Sequence, residues 1–329
     1  MKYLFCGLGS IGQRHLKNLI ECGEKNIIAF RSKKNYQKDN LGVKQFYSLK
    51  KAFSEKPDIV FITNPSSLHL KFALLAAKNK SNIFIEKPLG TNLNQAKKLL
   101  ETIRASKRLV FVGFMMRYHP AVIKIKELLN KNYIGKILYC NLTCGEFLPL
   151  WHPKEDYAKG YSARRELGGG VIFTLCHEVD LLTYFLGCPE SVFAFSGHLS
   201  NMVINTEDVA EILFRYKDGV IANIHLDFLQ NPPKRQWYFI GENGRIEFDY
   251  FLKKITVYRF NRKGNINIET FKFKKFERND MFASEIKSFI DSVKNKKEAE
   301  ISLEDGIRNL KILLAIHKSV RLEKMIEIN

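Results

Sequence analysis

The sequence predicts an α/β protein with a doubly wound parallel sheet in residues 1–118 and an α+β domain with an open, largely antiparallel sheet in residues 119–329. Short apolar runs alternate with amphipathic helices as far as about residue 118, which is typical of parallel strands joined by crossover helices. From residue 191 to residue 274, strands instead follow one another with turn signals between them, which is typical of hairpins. A chain of 329 residues is long enough for two such domains.

The N-terminal elements are assigned from apolar periodicity. The run Ile59-Val60-Phe61-Ile62 is apolar without interruption, as expected for a strand that is buried on both faces of a parallel sheet. Amphipathic stretches between such runs supply the crossover helices. We predict strands at residues 2–6, 26–30, 58–63, 82–85 and 109–113, and helices at residues 10–22, 48–54, 66–79 and 92–106.

The C-terminal elements follow a different period. Turns such as Lys217-Asp218-Gly219 and Glu242-Asn243-Gly244 separate strands of alternating pattern. An open sheet with helices on one face leaves its other face uncovered, so we expect a homo-oligomer, either a dimer or a tetramer. We predict helices at residues 120–130, 170–186, 280–294 and 303–324, and a first strand at residues 137–145.

The composition favours a folded cytoplasmic protein. Hydrophobic residues make up 45% of the chain, and no apolar run approaches the ~20 residues of a membrane span, so we expect no membrane association. The six cysteines are scattered, which fits a reducing compartment. Cys140 and Cys144 share one face of a predicted strand, but no second pair of cysteines or histidines has ligand spacing, so no metal site is predicted.

The formal net charge of +19 has two interpretations. A positive field attracts the phosphates of a cofactor, of a nucleotide-linked substrate or of a nucleic acid. Alternatively, the lysines form an ordinary solvated surface. The lysines are spread along the whole chain and mixed with acids, and no nucleic-acid-binding motif is present. We therefore favour the second interpretation and expect no nucleic-acid partner.

The segment Gly7-Leu8-Gly9-Ser10-Ile11-Gly12 joins the first predicted strand to the first predicted helix. In a G-x-G-x-x-G motif, the first glycine makes a tight turn, the second lets the backbone approach a pyrophosphate, and the third lets the helix pack close to the strand. The free N–H groups and the dipole of the helix N-terminus favour phosphate. The motif therefore predicts a dinucleotide-binding Rossmann domain, and the alternative is a simple tight turn.

The end of the second predicted strand bears on the choice between NAD and NADP. An NAD enzyme usually has an acidic residue here for the ribose hydroxyls, whereas this chain reads Phe30-Arg31-Ser32-Lys33-Lys34 and has no acid before Asp39. Arg31 could stack on adenine and pair with a 2′-phosphate, and Ser32 could donate a hydrogen bond to it. We favour NADP over NAD, although Arg31 and the lysines could simply be solvated.

Two further segments follow buried strands at the edge where open α/β sheets bind ligands. Asn64 and Pro65 come directly after the strand at residues 58–63, and Glu86-Lys87-Pro88 follows the strand at residues 82–85. A lysine after a buried strand, fixed by a proline, is placed to enter the ligand crevice. The alternative for Lys87 is an ordinary surface turn.

Taken together, these segments resemble the glucose–fructose oxidoreductase, inositol dehydrogenase and MocA-like (Gfo/Idh/MocA) family over nearly the whole chain. The order of the Gly loop, Glu-Lys-Pro and Gly-Gly-Gly followed by His is the most specific part of the likeness. The segments that carry it are Gly7–Gly12, Thr63-Asn64-Pro65 with His69, Glu86-Lys87-Pro88, Gly113-Phe114, Arg117-Tyr118-His119-Pro120, Gly168-Gly169-Gly170 with His177 and Asp180, Glu207-Asp208, Gly241–Gly244 and Asp305-Gly306.

The resemblance implies NAD(P)-dependent oxidation or reduction of a sugar or cyclitol carbon. In that family the lysine matched by Lys87 lies beside the nicotinamide and the reacting hydroxyl, the glutamate matched by Glu86 supports the nicotinamide ribose, and the histidine matched by His177 is the acid/base. One departure is that Thr174 stands where many members carry an aspartate, one turn before His177. Asp180, three residues after His177 on the same helical face, could orient the histidine instead.

Several aromatic and charged residues in the middle of the chain are candidates for substrate recognition. Aromatic rings stack on sugar faces, and arginine pairs with phosphate or carboxylate. The segment from Trp151 to His177 resembles a subgroup associated with bacterial surface-glycan and nonulosonic-acid gene clusters, which suggests a sugar or a nucleotide-activated sugar. The candidates are Arg117, Trp151, Tyr157, Tyr161, Arg164 and Arg165, together with Asp180.

Two other functions remain open. The chain could be a non-catalytic NAD(P)-binding regulatory protein on the same scaffold, a reading prompted by Thr174 but opposed by the presence of both Lys87 and His177. It could also reduce an imine or a linear-tetrapyrrole-like substrate, as some relatives of the family do. The aromatic and basic residues between Trp151 and Arg165 favour a hydroxylated substrate over these.

Overall fold

The computed structural model describes residues 1–32, 42–151, 153, 155–261 and 263–328. Lys33, Lys34 and Asp39, which entered the argument on cofactor preference, lie outside these residues. The strands are β1 (Tyr3–Cys6), β2 (Ile27–Phe30), β3 (Lys44–Phe46), β4 (Ile59–Ile62), β5 (Asn82–Glu86), β6 (Val110–Gly113), β7 (Ile137–Gly145), β8 (Ser191–Gly197), β9 (Val209–Arg215), β10 (Ile221–Asp227), β11 (Lys234–Gly241), β12 (Gly244–Asp249), β13 (Lys254–Phe260), β14 (Ile266–Lys272) and β15 (Ile326–Glu327). The helices are α1 (Ser10–Glu21), α2 (Leu49–Ser54), α3 (His69–Lys78), α4 (Leu93–Ser106), α5 (Pro120–Asn130), α6 (Val171–Thr174), α7 (His177–Leu186), α8 (Arg278–Lys294) and α9 (Leu303–Leu322).

The chain forms two compact units that are not continuous in sequence. The first unit consists of Met1–Met115 with Arg278–Leu310, and the second consists of Met116–Glu277 with Lys311–Asn329. A segment close to the C-terminus, which contains α8, therefore packs with the N-terminal strands. The expected division into a dinucleotide-binding domain of residues 1–118 and a substrate-binding and oligomerisation domain of residues 119–329 stays a prediction.

The first unit contains a six-stranded sheet in the order β3-β2-β1-β4-β5-β6, with every pair parallel. Phenylalanine rings stack across four neighbouring strands of this sheet. Phe5 and Phe61 lie 4.6 Å apart between ring centroids, Phe61 and Phe84 lie 5.1 Å apart, and Phe84 and Phe111 lie 5.5 Å apart. Phe289 of α8 packs edge-on against Phe61 and Phe84, so this helix covers the row of rings.

The second unit contains a nine-stranded sheet in the order β14-β13-β12-β11-β7-β10-β9-β8-β15. Its pairs are antiparallel except for β7 and β10, which are parallel. Burial alternates along β9, where Ala210, Ile212 and Phe214 are buried and the residues between them are exposed. One face of this sheet therefore packs on helices and the other is open. The predicted fold class, a parallel Rossmann sheet plus a largely antiparallel open sheet, is confirmed.

Three local elements differ from the sequence-based assignment. The predicted helix over residues 170–186 is interrupted, because Leu175 and Cys176 lie between α6 and α7 and the segments on either side meet at 47°. The three-residue strand β3 adds a parallel edge strand beside β2. The two-residue strand β15 pairs with β8 near the C-terminus. Short edge strands of this kind gain their hydrogen bonds from a distant partner, so local periodicity does not signal them.

Within the described residues, no single helix has the length and apolar composition of a membrane span. One bent pair, Arg165–Thr174 with His177–Leu186, passes a test of length and composition when its two segments are taken together. Most residues of this pair are buried inside the second unit.

Candidate functional site

The glycine loop after β1 has the close contacts that its three glycines require. Gly7 has φ +110°, and a Cβ atom on it would lie 2.9 Å from the backbone nitrogen of Asn64. A Cβ atom on Gly12 would lie 2.5 Å from the carbonyl oxygen of Gly7 and 2.8 Å from Oγ1 of Thr63. Thr63 donates a hydrogen bond from Oγ1 to the same carbonyl at 2.8 Å. Gly7 and Gly12 thus allow the start of α1 to pack tightly against the ends of β1 and β4.

Gly9 is different from its two neighbours in the motif. A Cβ atom on Gly9 would meet nothing within 4 Å, so this residue faces open space. Gly9 is also the N-cap residue of α1, and no side chain caps the helix there. No acidic residue lies in the first turn, which contains Ser10 and Ile11. The positive end of a twelve-residue helix is therefore open to an anion, as a dinucleotide-binding loop requires.

The ends of β1, β2 and β4 lie at one edge of the first sheet, since Cys6 pairs in register with Phe30 and with Ile62. Arg31 follows β2 at this edge and is only 8% exposed, while Ser32 is exposed. The backbone nitrogen of Arg31 donates to the carbonyl of Phe46 in β3 at 3.0 Å, which fixes the chain at this point. Arg31 and Ser32, which are expected to contact the adenosine end of a dinucleotide, thus follow β2, the strand that pairs with β1.

His69 ties together the loops that follow β4 and β5. Its Nε2 atom lies 2.8 Å from the carbonyl oxygen of Asn64, and its Nδ1 atom lies 2.8 Å from the carbonyl oxygen of Pro88. Burial lowers the pKa of His69, against the opposing effect of these two backbone hydrogen bonds. Since both ring nitrogens face backbone oxygens, His69 acts on the site by bracing Asn64 and Pro88.

Asn64 offers an open amide at the same edge. Its Oδ1 and Nδ2 atoms are buried, and neither has a hydrogen-bond partner within the described part of the chain. Pro65 follows with φ −56° and begins a short 3₁₀ turn at Ser66–Leu68. A buried amide without a partner costs free energy unless a ligand satisfies it. Asn64 therefore fits the predicted role of a cofactor-binding residue.

Glu86 ends β5, and its side chain points into the protein. It is 6% exposed, and its Oε1 atom lies 2.5 Å from Nε2 of His15 on α1. Its Oε2 atom accepts a hydrogen bond from the backbone nitrogen of Lys87 at 3.1 Å. Burial acts to raise the pKa of Glu86, but the hydrogen bond and charge of His15 outweigh it, so the pKa lies below its ordinary value. Glu86 thus acts on Lys87 through the backbone.

The three glycines before α6 shape the chain that leads to His177. Gly168 and Gly170 have φ +82° and +99°, which residues with a Cβ atom rarely adopt. The backbone nitrogen of Gly170 donates to the carbonyl of Ser162 at 2.9 Å. A Cβ atom on Gly169 would lie 2.6 Å from that same oxygen. The segment is therefore held close to the 3₁₀ turn Tyr161–Ala163, which contains a predicted substrate residue.

Glu207 secures the start of the helices that carry His177. Its backbone carbonyl accepts from the nitrogen of Val171 at 3.1 Å, and its Oε1 atom accepts from the nitrogen of Ile172 at 3.3 Å. Burial raises the pKa of Glu207, although its hydrogen bond from Ile172 acts in the opposite direction. From the sequence, Glu207 was identified only as part of the resemblance to the family. The structure gives it a role in holding α6.

His177 is the first residue of α7 and is 4% exposed. Asp180, on the same helix, is fully buried and accepts two hydrogen bonds from Arg117, one from Nε at 3.0 Å and one from Nη2 at 2.6 Å. The Arg117 guanidinium also stacks over the ring of Tyr184 at 5.1 Å. The carboxylate predicted to orient His177 thus forms a two-point ion pair with a residue that we predicted to bind substrate.

A second buried ion pair lies on the same helix. Glu178 is fully buried, and its two carboxylate oxygens accept from Nε and Nη2 of Arg235 on β11, at 2.6 and 2.9 Å. Arg235 is 7% exposed. A paired arrangement of this kind is strongly directional because a planar guanidinium matches a carboxylate. The pair fastens the first turn of α7 to the sheet, next to His177.

The predicted substrate residues between Trp151 and Arg165 have several contacts in the second unit. The Trp151 ring packs edge-on against Phe228 with centroids 5.4 Å apart, and within the described residues its indole N–H has no hydrogen-bond partner. Tyr157 accepts at its hydroxyl from the nitrogen of Val203 at 3.2 Å. The exposed Arg164 donates to Glu166 at 2.7 Å. Trp151 therefore retains a donor that a ligand could satisfy.

Two residues of the first unit were missed by the sequence analysis, His15 and Glu285. Glu285 lies on α8, where Met281, Phe282, Ile286 and Phe289 are buried at helical spacing. A carboxylate at a position of this apolar stripe is a signal that the sequence does contain. His15 gives a similar signal, since it lies between Gly12 and the buried Leu16 on the inner face of α1.

Comparison with known proteins extends over both units. Residues 1–114 match the profile of an oxidoreductase family with an NAD-binding Rossmann fold, and residues 122–247 match the profile of the GFO/IDH/MocA C-terminal domain. The chain is 26% identical to myo-inositol 2-dehydrogenase of Thermotoga maritima over 340 aligned residues, which cover 98% of this chain and 97% of that protein.

Solved structures share the fold along the whole chain. Myo-inositol 2-dehydrogenase from Lactobacillus plantarum superposes with a TM-score of 0.82 at 24% identity, covering 100% of this chain and 99% of the other. The WlbA dehydrogenase from Bordetella pertussis, solved with NADH and UDP-GlcNAcA, superposes with a TM-score of 0.83 at 21% identity, with 100% and 99% covered. With an open glycine loop, a Glu-Lys-Pro segment and matches to both family domains, the chain belongs to the Gfo/Idh/MocA family of NAD-binding oxidoreductases.

Proposed function

We propose that this protein transfers a hydride between a nicotinamide dinucleotide and a hydroxyl-bearing or carbonyl carbon of a sugar, a sugar nucleotide or a cyclitol. The observation that carries the proposal is the open N-terminus of α1, where, among the residues that the structure describes, none contacts the Gly9 Cβ position and no side chain caps the helix. Gly7, Gly9, Ser10, Ile11 and Gly12 would hold the pyrophosphate there. The family to which the chain belongs uses this loop in the same way.

Lys87 and His177 are the residues that we propose to handle the proton. When bound, the nicotinamide supplies or accepts the hydride, and the protein must hold the reacting oxygen and exchange its proton. Lys87 follows Glu86 at the ligand edge of the first sheet, and its backbone is held by the Glu86 carboxylate. Histidine suits proton exchange because its ordinary pKa is near neutrality. The Arg117–Asp180 pair would keep the turn after His177 rigid.

The identity of the substrate is supported by the relatives. Myo-inositol 2-dehydrogenase is named for a cyclitol, and the WlbA structure contains a nucleotide-linked sugar acid. Trp151, Tyr157, Tyr161 and Arg164 would contact such a substrate, with Arg165 next in sequence and Arg117, which pairs with Asp180, as further cations. A role in surface-glycan or nonulosonic-acid synthesis follows from the same segment as a narrower proposal.

We propose NADP as the favoured cofactor, with NAD as the alternative. Arg31 ends β2 with its backbone fixed to β3, and the residue after it is an exposed serine rather than an acid. An arginine at this position provides a planar cation for a 2′-phosphate, and a serine provides a donor. Neither residue offers the two charged acceptor oxygens with which a carboxylate binds the ribose hydroxyls.

The open face of the nine-stranded sheet supports the proposal of a homo-oligomer. Large apolar side chains on it are exposed, including Phe195 at 64%, Ile221 at 50% and Leu213 at 47%. Apolar side chains exposed on one face of a sheet are stabilised when they are covered, and a symmetric dimer covers the same face on both copies.

Two other functions are kept as alternatives. A non-catalytic NAD(P)-binding regulator would bind the dinucleotide without turnover, and Thr174 in place of the usual aspartate is the observation that motivates it. A reductase of imines or linear tetrapyrroles would use the same cofactor on a less hydroxylated substrate. The indole N–H of Trp151, which has no hydrogen-bond partner in the part of the chain that the structure describes, fits a polar substrate better.

Cofactor binding is tested first, by fluorescence titration of NADPH and NADH. Gly9→Ala should leave thermal unfolding unchanged, because its Cβ meets no atom within 4 Å, and should weaken dinucleotide binding by about tenfold or more by blocking backbone approach. Arg31→Ala should weaken the binding of NADPH and leave the binding of NADH nearly unchanged. Tighter binding of NADH than of NADPH by the wild type would assign NAD, and binding of neither nucleotide would refute the proposed function.

Turnover is tested next, with a panel of cyclitols, sugars and sugar nucleotides. Lys87→Ala and His177→Ala should each lower kcat by about a hundredfold or more, since proton transfer by a positioned side chain contributes on that scale. Both variants should still bind dinucleotide. A wild-type protein that binds dinucleotide and turns over no member of the panel would favour the regulatory alternative.

A further inference from the structure

Glu285 is a buried carboxyl group without a cation of its own. It lies on α8, is fully buried, and neither of its carboxylate oxygens has a hydrogen-bond partner within the described residues. Phe289 of this helix packs against Phe84 of the first sheet, and Phe282 packs against the ring of His15 on α1. An ionised carboxylate in such surroundings costs several kcal/mol, which the fold can avoid if the group keeps its proton.

The nearest polar groups make ionisation of Glu285 still less favourable. Its Oε1 atom lies 4.0 Å from Nε2 of His15. One carboxylate oxygen of Glu285, one of Glu86 and one ring nitrogen of His15 lie within 4.8 Å of one another. The nearby imidazole is already bonded to Glu86 at 2.5 Å. If both carboxyl groups were ionised, even a protonated His15 would leave one uncompensated negative charge among aromatic rings.

Other charged groups near the cluster act on Glu86 rather than on Glu285. Lys87 and His69 both lower the pKa of Glu86. The pKa of Arg14 is lowered, chiefly by burial, and the charge of Glu86 acts in the opposite direction. For Glu285, burial raises the pKa well above its ordinary value, and the charge of Glu86 raises it further. The pKa values of the two carboxyl groups thus shift in opposite directions, which favours the ionised form of Glu86 and the neutral form of Glu285.

The cluster reaches the candidate active site through one atom of Glu86. Glu86 Oε1 binds His15, while Oε2 accepts from the backbone nitrogen of Lys87. Gly113 is the register partner of Glu86 on β6, and a Cβ atom on it would lie 3.4 Å from Cδ of Glu86, so the Glu86 side chain lies close to this neighbouring strand. A shift of the Glu86 carboxylate would therefore move the backbone that carries Lys87.

We propose that Glu285 is a neutral carboxylic acid that, together with His15, sets the position of the Glu86 carboxylate and so acts as a positioning residue for Lys87. For the role of Lys87 this inference rests on the proposed function. The neutral state of Glu285 stands independently of it. The proton on Glu285 removes the negative charge that a second cation would otherwise have to balance.

The experiment compares Glu285→Gln, Glu285→Ala and a matched control, Ile290→Ala, which removes a buried side chain from the same helix. Glutamine copies the shape and the neutral state of a protonated glutamate, so kcat should stay within about twofold of wild type. Glu285→Ala removes the side chain that limits the position of Glu86. We expect kcat to fall by about 10- to 100-fold with little change in the KM for dinucleotide, because a small misplacement of a reacting group lowers the rate on this scale. Ile290→Ala should lower the unfolding temperature while leaving kcat nearly unchanged.

Two measurements do not need a substrate. The infrared difference spectrum, wild type minus Glu285→Gln at neutral pH, should contain the carbonyl band of a protonated carboxyl group. The reactivity of the Lys87 amine towards an acylating reagent, followed by peptide mass spectrometry, should change in Glu285→Ala and stay as in wild type in Glu285→Gln. These measurements decide the inference even if no sugar is turned over.

Three outcomes would overturn the inference. The first is a Glu285→Gln variant as inactive as Glu285→Ala, because it would mean that the charge of Glu285 is required. The second is the absence of the protonated carboxyl band. The third is a stoichiometric divalent cation in the purified wild type that Glu285→Gln loses, since His15, Glu86 and Glu285 would then be metal ligands.

Discussion

The two units each contain a helix with a fully buried glutamate, and the two glutamates have opposite surroundings. Glu178 on α7 receives two hydrogen bonds from Arg235, at 2.6 and 2.9 Å. Glu285 on α8 faces Glu86 and the shared His15, and its oxygens have no partner within the described residues. Equal burial thus coexists with an ion pair in one unit and with a carboxyl group that is expected to be neutral in the other.

The difference shows that the partner, rather than burial, decides the charge of a buried acid. A guanidinium in two-point contact returns much of the free energy that a carboxylate loses when it leaves water. Where no cation is in reach, the acid avoids the cost by keeping its proton. In this protein both solutions lie one step from a predicted catalytic residue, since Glu178 follows His177 and the Glu285 cluster ends at Lys87.

The largest effect is expected when the paired acid loses its cation. Arg235→Met leaves Glu178 buried beside an apolar side chain, so the free energy of unfolding should fall by about 3–5 kcal/mol. Chemical denaturation of the full chain measures the change. The double variant with Glu178→Leu should recover much of the loss, because no buried charge then remains. If the two single changes instead added in the double variant, the two residues would not act as a pair.

A second effect, which grows with pH, is expected from the unpaired acid. The pKa of Glu285 is raised in the folded protein, chiefly by burial. Below the ordinary carboxyl pKa of about 4.3, both folded and unfolded chains hold the proton. Above it, only the unfolded chain releases the proton, so wild type loses stability as pH rises towards the folded-state pKa.

Glutamine cannot ionise in either state, so Glu285→Gln escapes this loss. The stability of the variant relative to wild type should therefore increase with pH above about 4.3, with a limiting slope of about 1.4 kcal/mol per pH unit for one proton. Thermal and urea unfolding between pH 4 and pH 8 measure the difference. A relative stability that falls with pH would mean that Glu285 is ionised in the folded protein.

The smallest effect is expected from an exposed ion pair that has good geometry but little burial. Arg245 donates to Glu247 at 2.6 Å, yet the two side chains are 51% and 30% exposed. Arg245→Met should change the free energy of unfolding by less than about 1 kcal/mol, because water competes for both charges. If this loss equalled that of Arg235→Met, burial would have no part in the comparison.

Much of the first unit was predictable from the sequence because its signals are local. The glycine loop, the strand ends and the crossover helices lie close together along the chain, and the parallel sheet follows from their alternation. The irregular chain before His177 was less predictable. The start of α6 is held by Glu207, which lies on another part of the second unit, so the local sequence does not show this contact.

The sequence by itself determined the two kinds of sheet, the dinucleotide loop at Gly7–Gly12 and the family, because these depend on periodicity and on short motifs. Only the tertiary structure decided that Glu86 turns inward to His15, that Asp180 pairs with Arg117, and that Glu285 lies beside Glu86. The physical reason is that the charge and orientation of a buried polar group depend on neighbours brought by distant segments. Local sequence specifies the element on which such a group lies, and packing supplies its partner.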